Sequence, residues 1–118
     1  MTKIVIVSTH GQDDLERASI AWAVANAAIA LDAEVVVFLQ VEAVNVVRKD
    51  FCKDWVFPPF TPIQGLIDTF MEFGGKVYAC VPCVDARQID HGEFIEGVEV
   101  AGAVTLLTES VGASVFVY

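Results

Sequence analysis

The chain has 118 residues, 55% of them hydrophobic, with 16 acidic against 7 basic side chains and a formal net charge of −9. That length predicts one domain, 1–118, burying about two-thirds of its unfolded surface without disulfide or metal staples. The acidic balance argues against nucleic acid or an anionic membrane as the main partner, and no apolar run approaches the roughly 18 residues of a membrane span.

Lys3 to Thr9 (KIVIVST) is a β-branched run that reads as a buried parallel strand, with His10-Gly11-Gln12 as the turn behind it. Asp13 with Glu16 resembles a capping box and predicts a helix running to about Leu31. Its apolar residues cover two faces, Trp22 and Ala25 on one, Ile20, Val24 and Leu31 on the other, which predicts burial on more than one side. Glu34 to Val41 (EVVVFLQV) reads as a second buried strand, and Glu42 to Lys49 as a short helix.

Asp50 to Phe60 (DFCKDWVFPPF) is an aromatic-rich loop. Phe51, Trp55, Phe57 and Phe60 are too many aromatics to leave exposed, and are expected to cover a site or a subunit contact. Thr61-Pro62-Ile63-Gln64 carries helix-start signals, and Gly74-Gly75 stops that helix. Lys76 to Ala79 is a third strand leading straight into Cys80-Val-Pro-Cys83. Asp85 to Phe94 reads as an irregular polar loop and Val98 to Val100 as a brief strand. Ala101 to Val111 reads as a helix, and Ser114 to Tyr118 as a last strand. Strands alternating with helices predict a mainly parallel sheet in an α/β layer fold.

A mean hydropathy of +0.57 is high for so short a chain and points to apolar surface buried between subunits. Three cysteines, an odd number, do not make a secreted disulfide framework, and the N-terminus lacks a signal-peptide pattern. Both suggest a reducing cytoplasm.

The chemistry concentrates at Cys80 and Cys83. A thiol at the C-terminal edge of a strand lies where open parallel sheets place their ligand sites, and backbone N–H groups there favour a thiolate. Three chemistries fit the pair: a dithiol cycling with a disulfide, an activated thiolate carrying a persulfide, or two ligands to zinc. Zinc needs two further ligands, and Cys52, His10 and His91 are not at finger-like spacing, so no metal and no cofactor is expected. Arg87 is the candidate partner for a thiolate or an anionic substrate. His10 ends the first strand and is a candidate neighbour of Cys80 along the same sheet edge. Cys52 has no partner at motif spacing.

These parts come in a recognisable order. Ser8-Thr9-His10-Gly11 precedes an alanine-rich helix with Arg17 and Ala18, then the Glu34–Phe38 strand. Gly75-Lys-Val-Tyr-Ala-Cys80 follows, with Cys83, Ala86 and Arg87 close behind and Gly97-Val98-Glu99-Val100 later. In this order the chain resembles the DsrE/DsrF-like family, which includes the TusD-type sulfur-relay subunits. The most specific element is Cys80-x-x-Cys83-x-x-Ala86-Arg87. The resemblance implies a single-domain, doubly wound sheet of five strands flanked by helices, and a homo-oligomer (dimer, trimer or hexamer). It also implies a cysteine, matching Cys80, that accepts sulfur as a persulfide from donor proteins and passes it to acceptor proteins. A redox-sensing or ligand-binding module without turnover, and a C-x-x-C dithiol oxidoreductase, are the alternatives. The chain departs from the family at three places where glycine is common: Gln88 after Arg87, Asp32-Ala33 before the second strand, and Glu42-Ala43 after it.

Overall fold

Short runs of β-branched residues favour strands, because side chains stiff at χ1 pack well on a pleated surface. In the computed structural model, which describes residues 2–118, they form β1 (Lys3–Ser8), β2 (Glu34–Leu39), β3 (Lys76–Cys80), β4 (Val98–Ala101) and β5 (Ser114–Val117). The strands make one sheet in the order β4-β3-β2-β1-β5, and every pairing between them is parallel. Parallel neighbours require crossovers. These contain α1 (Leu15–Ala30), α2 (Ile63–Glu72), α3 (Val81–Ala86) and α4 (Ala103–Ser110). The fold is therefore the five-stranded, doubly wound α/β sheet that the sequence led us to expect.

Period-two alternation divides the strand residues between the two faces of the sheet. Ile6, Val35, Val37, Leu39, Val77 and Ala79 join the main core with α1 and α2. Val5, Val7 and Val36 point the other way and are covered by Leu106 of α4 with Ala113. Trp22 of α1 meets Phe70 of α2 edge-on, with ring centroids 5.6 Å apart, and both are fully buried. The Asn26 side-chain amide donates to the Leu66 carbonyl at 2.9 Å and fixes the register between these helices. Truncating Phe70 to alanine here removes about 3–5 kcal/mol.

Local details depart from expectation in instructive ways. Asp14, not Asp13, caps α1, accepting the Arg17 N–H at 3.1 Å. Asp13 is already engaged: its carboxylate accepts the Gly11 N–H at 2.7 Å and contacts His10 at 2.9 Å. The second face of α1 is only partly covered, with Ile20 and Val24 half-buried and Leu31 79% exposed. The helix-start signals of Thr61–Gln64 are shifted by one residue, and Thr61 is not the N-cap. Pro62 occupies the N-cap position of α2 without a side-chain bond, and Gln64 instead donates to Asp68 at 2.9 Å. Val41–Val47 is a run of 3-10 turns rather than a regular helix.

The segment read as an irregular loop opens on the last two residues of α3 and holds one 3-10 turn, His91–Glu93, closed by an Asp90–Glu93 capping box. In the aromatic loop, Phe51 and Trp55 stack edge-on at 5.7 Å, and the Arg48 guanidinium lies 4.4 Å over the Phe51 ring. No helix among the described residues is long and apolar enough to cross a membrane.

Apolar side chains stay exposed on α4 and on β5. Val104, Leu107 and Val111 lie at or just beyond α4 at i, i+3 and i+7 spacing, 67–79% exposed. Val115, Phe116 and Val117 of β5 are also exposed, and β5 is an edge strand.

Candidate functional site

Cys80 is the last residue of β3, and Cys83 lies within α3, which begins at the next residue. The parallel register sets Leu39 opposite Ala79, so the chain leaving β2 runs alongside the cysteines. Val41 in that exit has φ of +55°. For a β-branched residue this left-handed conformation is an outlier costing about 1–3 kcal/mol. The turn aims the Val41 backbone N–H at the Cys83 sulfur, to which it donates at 3.1 Å.

The two thiols sit in different surroundings. Cys80 is 8% exposed, whereas Cys83 is half-buried and open to solvent. Burial pushes the Cys80 thiol above its ordinary pKa. The Cys83 N–H facing it pulls the other way without closing a capping bond, and the adjacent Cys83 thiol adds to the rise. This is the reverse of the direction expected from strand-end position alone. A buried sulfur in an apolar core has lost the water that would stabilise its anion, and α3, only six residues long, supplies too little to replace it.

Arg87 and His10 are both placed near the strand edge, but each has another partner. The Arg87 guanidinium donates to Oε1 of Glu42 at 2.7 and 3.2 Å and to the Cys83 carbonyl at 3.2 Å. It holds the residue next to Val41 rather than a sulfur. His10 pairs with Asp13 at 2.9 Å. Its neighbour Gly11 packs so closely on the exit from β2 that an added Cβ would lie 2.7 Å from the Glu42 carbonyl oxygen. His10 therefore touches the site through the backbone beside it.

Val41 and Glu42 are the site residues that sequence reading missed as contributors. The signal available was position: in a parallel sheet, the residues leaving the strand next to β3 lie at the same edge as Cys80.

Cys52 is buried, donates to Gln64 Oε1 at 3.4 Å and has its pKa pushed up to about 11 by burial. Beside Gln64 is an open cavity of about 450 Å³ lined by Lys49, Asp50, Lys53, Gln64, Asp68 and Ile95. Its wall mixes two cations with two anions and includes neither Cys80 nor Cys83. Among the described residues, no three His, Cys, Asp or Glu side chains gather as a metal site.

A five-stranded parallel sheet with a cysteine pair at the end of its third strand defines a class. Residues 2–109 match the DsrE/DsrF-like family, and the chain belongs to it. Among relatives in sequence, it is 35% identical over 101 residues to the uncharacterized protein MK0008 of Methanopyrus kandleri, covering 86% of this chain and 78% of that one. It is 27% identical over 105 residues to the uncharacterized protein MJ0760 of Methanocaldococcus jannaschii, covering 89% of this chain but only 38% of that protein's length. Among solved structures, the ychN protein of E. coli superposes with a TM-score of 0.75 at 23% identity. MTH1491 of Methanobacterium thermoautotrophicum, a protein of unknown function, gives 0.71 at 18% identity, and both pairs cover each chain fully. At those identities the superpositions establish the fold.

Proposed function

We propose that this protein handles sulfur, taking up one sulfane sulfur atom on its Cys80–Cys83 pair as a persulfide and passing it on. The observation that carries this reading is the adjacent pair itself, set at the C-terminal edge of β3, with a strained backbone donor directed at one of the two sulfurs. Family membership supports it, because the DsrE/DsrF-like family is associated in general with sulfur relay. A cysteine thiolate attacks the outer sulfur of a donor persulfide, R–S–SH. A new S–S bond forms on the protein and the donor's S–S bond breaks. The donor thiolate leaves and takes a proton from solvent, with no net redox change. The reverse exchange delivers the sulfur to an acceptor thiol.

Intact mass after incubation with inorganic polysulfide tests the reading. The wild-type chain gains one sulfur atom, and the Cys80→Ser, Cys83→Ser double variant gains none. The proximity of the two thiols favours a second reading, a dithiol redox module. That reading predicts loss of two hydrogens on mild oxidation and no sulfur gain. A ligand-binding module would show neither change.

The exposed apolar side chains of α4 and of the edge strand β5 support a homo-oligomer of this chain. Copies carrying nine negative charges each repel one another. The exposed residues Val104, Leu107, Val111, Val115, Phe116 and Val117 are uncharged, and the Glu109 carboxylate of α4 is bonded to Lys3 and Tyr78. Self-contact there therefore brings few charges together.

A further inference from the structure

We propose that Cys83, rather than Cys80, is the thiol that takes up sulfur, and that the Val41 backbone N–H, held in place by Glu42 and Arg87, stabilises its anionic form. The inference rests on the sulfur-handling reading above and divides the labour within that site. Attack on a donor needs a sulfur that a donor can reach, and Cys83 is the open member of the pair while Cys80 is closed into the core. It also needs a group that stabilises negative charge on the attacking atom. A main-chain N–H at 3.1 Å from the Cys83 sulfur is such a group. The Cys83 N–H faces the Cys80 sulfur without closing a capping bond, and burial outweighs it.

The donor is where it is because its neighbours leave it little choice. A valine at φ +55° persists only when surrounding contacts over-determine it. Three such contacts converge on Glu42, the next residue. Arg87 grips one carboxylate oxygen at 2.7 and 3.2 Å, and Asn45 donates to the other at 3.0 Å. Gly11 packs against the Glu42 carbonyl from the far side. The same Arg87 holds the Cys83 carbonyl at 3.2 Å. One guanidinium thus sets both partners of the N–H to sulfur contact. Arg87 is a positioning residue: it bonds to the Glu42 carboxylate and the Cys83 carbonyl, and it acts on the sulfur through Val41.

In chemical terms, the Cys83 thiolate attacks the terminal sulfur of R–S–SH. The Cys83 S–S bond forms, the donor's own S–S bond breaks, and the departing thiolate RS− is protonated by solvent. Cys80 stays a thiol throughout.

Alkylation by iodoacetamide under limiting reagent, mapped by peptide mass, tests the assignment. Cys83 should be modified before Cys80. In Arg87→Gln and Glu42→Gln, its rate at neutral pH should fall about tenfold, the scale of one lost hydrogen bond to an anion. The deficit should close in alkaline buffer, where thiols ionise without help, and Arg87→Lys should fall between. Far-UV circular dichroism identifies variants that keep the fold, and two separate substitutions guard against one that does not. Cys80 reacting first, or Cys83 reacting at the wild-type rate in both glutamine variants, overturns the proposal. Polysulfide loading separates the two levels. A Cys83→Ser variant that still gains sulfur on Cys80 refutes the division of labour and leaves sulfur handling intact. A wild-type chain that shows the expected alkylation pattern but gains no sulfur refutes sulfur handling itself.

Discussion

The Tyr78 hydroxyl donates to Oε2 of Glu109 at 2.8 Å, joining β3 to α4 on the second face of the sheet. Lys3 of β1 donates to the other oxygen of the same carboxylate at 2.7 Å. These two bonds, Lys3 first, hold the Glu109 carboxyl below its ordinary pKa. The folded-state value is thus lower than the unfolded one. The stabilisation is complete above the unfolded value and is lost as pH falls through the folded value. The stability difference between wild type and Glu109→Gln should be largest near neutral pH and should shrink steadily in acid below pH about 4.5, the ordinary glutamate value. Denaturant melts at several pH values measure it; a difference independent of pH refutes it.

Cys52 should stay silent in the native protein. Its thiol is buried and titrates only at about 11, so at neutral pH it is both protonated and shielded. Labelling should appear only on addition of denaturant. Cys52→Ala should leave polysulfide loading unchanged, at a cost of about 1 kcal/mol in stability.

Gly11 should not tolerate a side chain. Alanine there would push its Cβ onto the Glu42 carbonyl oxygen at 2.7 Å, and backbone on both sides leaves little slack. Gly11→Ala should destabilise the fold by about 1–3 kcal/mol and should also slow Cys83 alkylation, since Glu42 must move. Loss of stability with no change in thiol rate would separate the glycine from the site.

Much of the fold was legible because β-branched runs and glycine stops mark strands and their ends independently of the rest of the chain. The cysteine pair was legible for the same reason: it follows the third run directly. Its partners were not. Arg87 finds Glu42 across 45 positions of sequence, and nothing local to either residue announces the pairing. The Val41 turn was hidden more deeply, because a β-branched residue is a poor candidate for a left-handed conformation. The three departures from family glycines mark these places in retrospect. Asp32 has φ of +65° and Gln88 of +53°, while Glu42 follows Val41 at +55°. At Asp32 and Gln88 the left-handed backbone persisted where the glycine did not. The misplaced cap on α1 is a smaller case: Asp13 and Asp14 are chemically equal candidates, and His10 and Gly11 decide between them.

Gln88 offers a direct check on that reading. It follows α3, and the Ile89 N–H closes back on the Val84 carbonyl at 3.2 Å, as in a glycine-terminated helix. Gln88→Gly removes the left-handed penalty and should raise stability by up to about 1 kcal/mol, the gain being offset in part by unfolded-chain entropy. Thermal melting resolves a change of that size, and a clear loss would argue against strain at this position.

The oligomer has its own test. Light scattering at micromolar concentration should give a mass above the 12.8 kDa of one chain. Leu107→Glu, which adds a charge to the exposed face of α4, should shift it toward the monomer. A monomeric wild type, or an assembly indifferent to Leu107→Glu, would refute self-contact through this face.

The bond from Val41 to Cys83 makes the site readable by spectroscopy. An amide proton that faces sulfur instead of a carbonyl oxygen experiences whatever that sulfur becomes. Ionisation, alkylation or attachment of a second sulfur each alters the charge and shape opposite that one proton. The nitrogen-15 resonance of Val41 is thus a built-in gauge of the chemical state of Cys83, needing no label beyond the isotope.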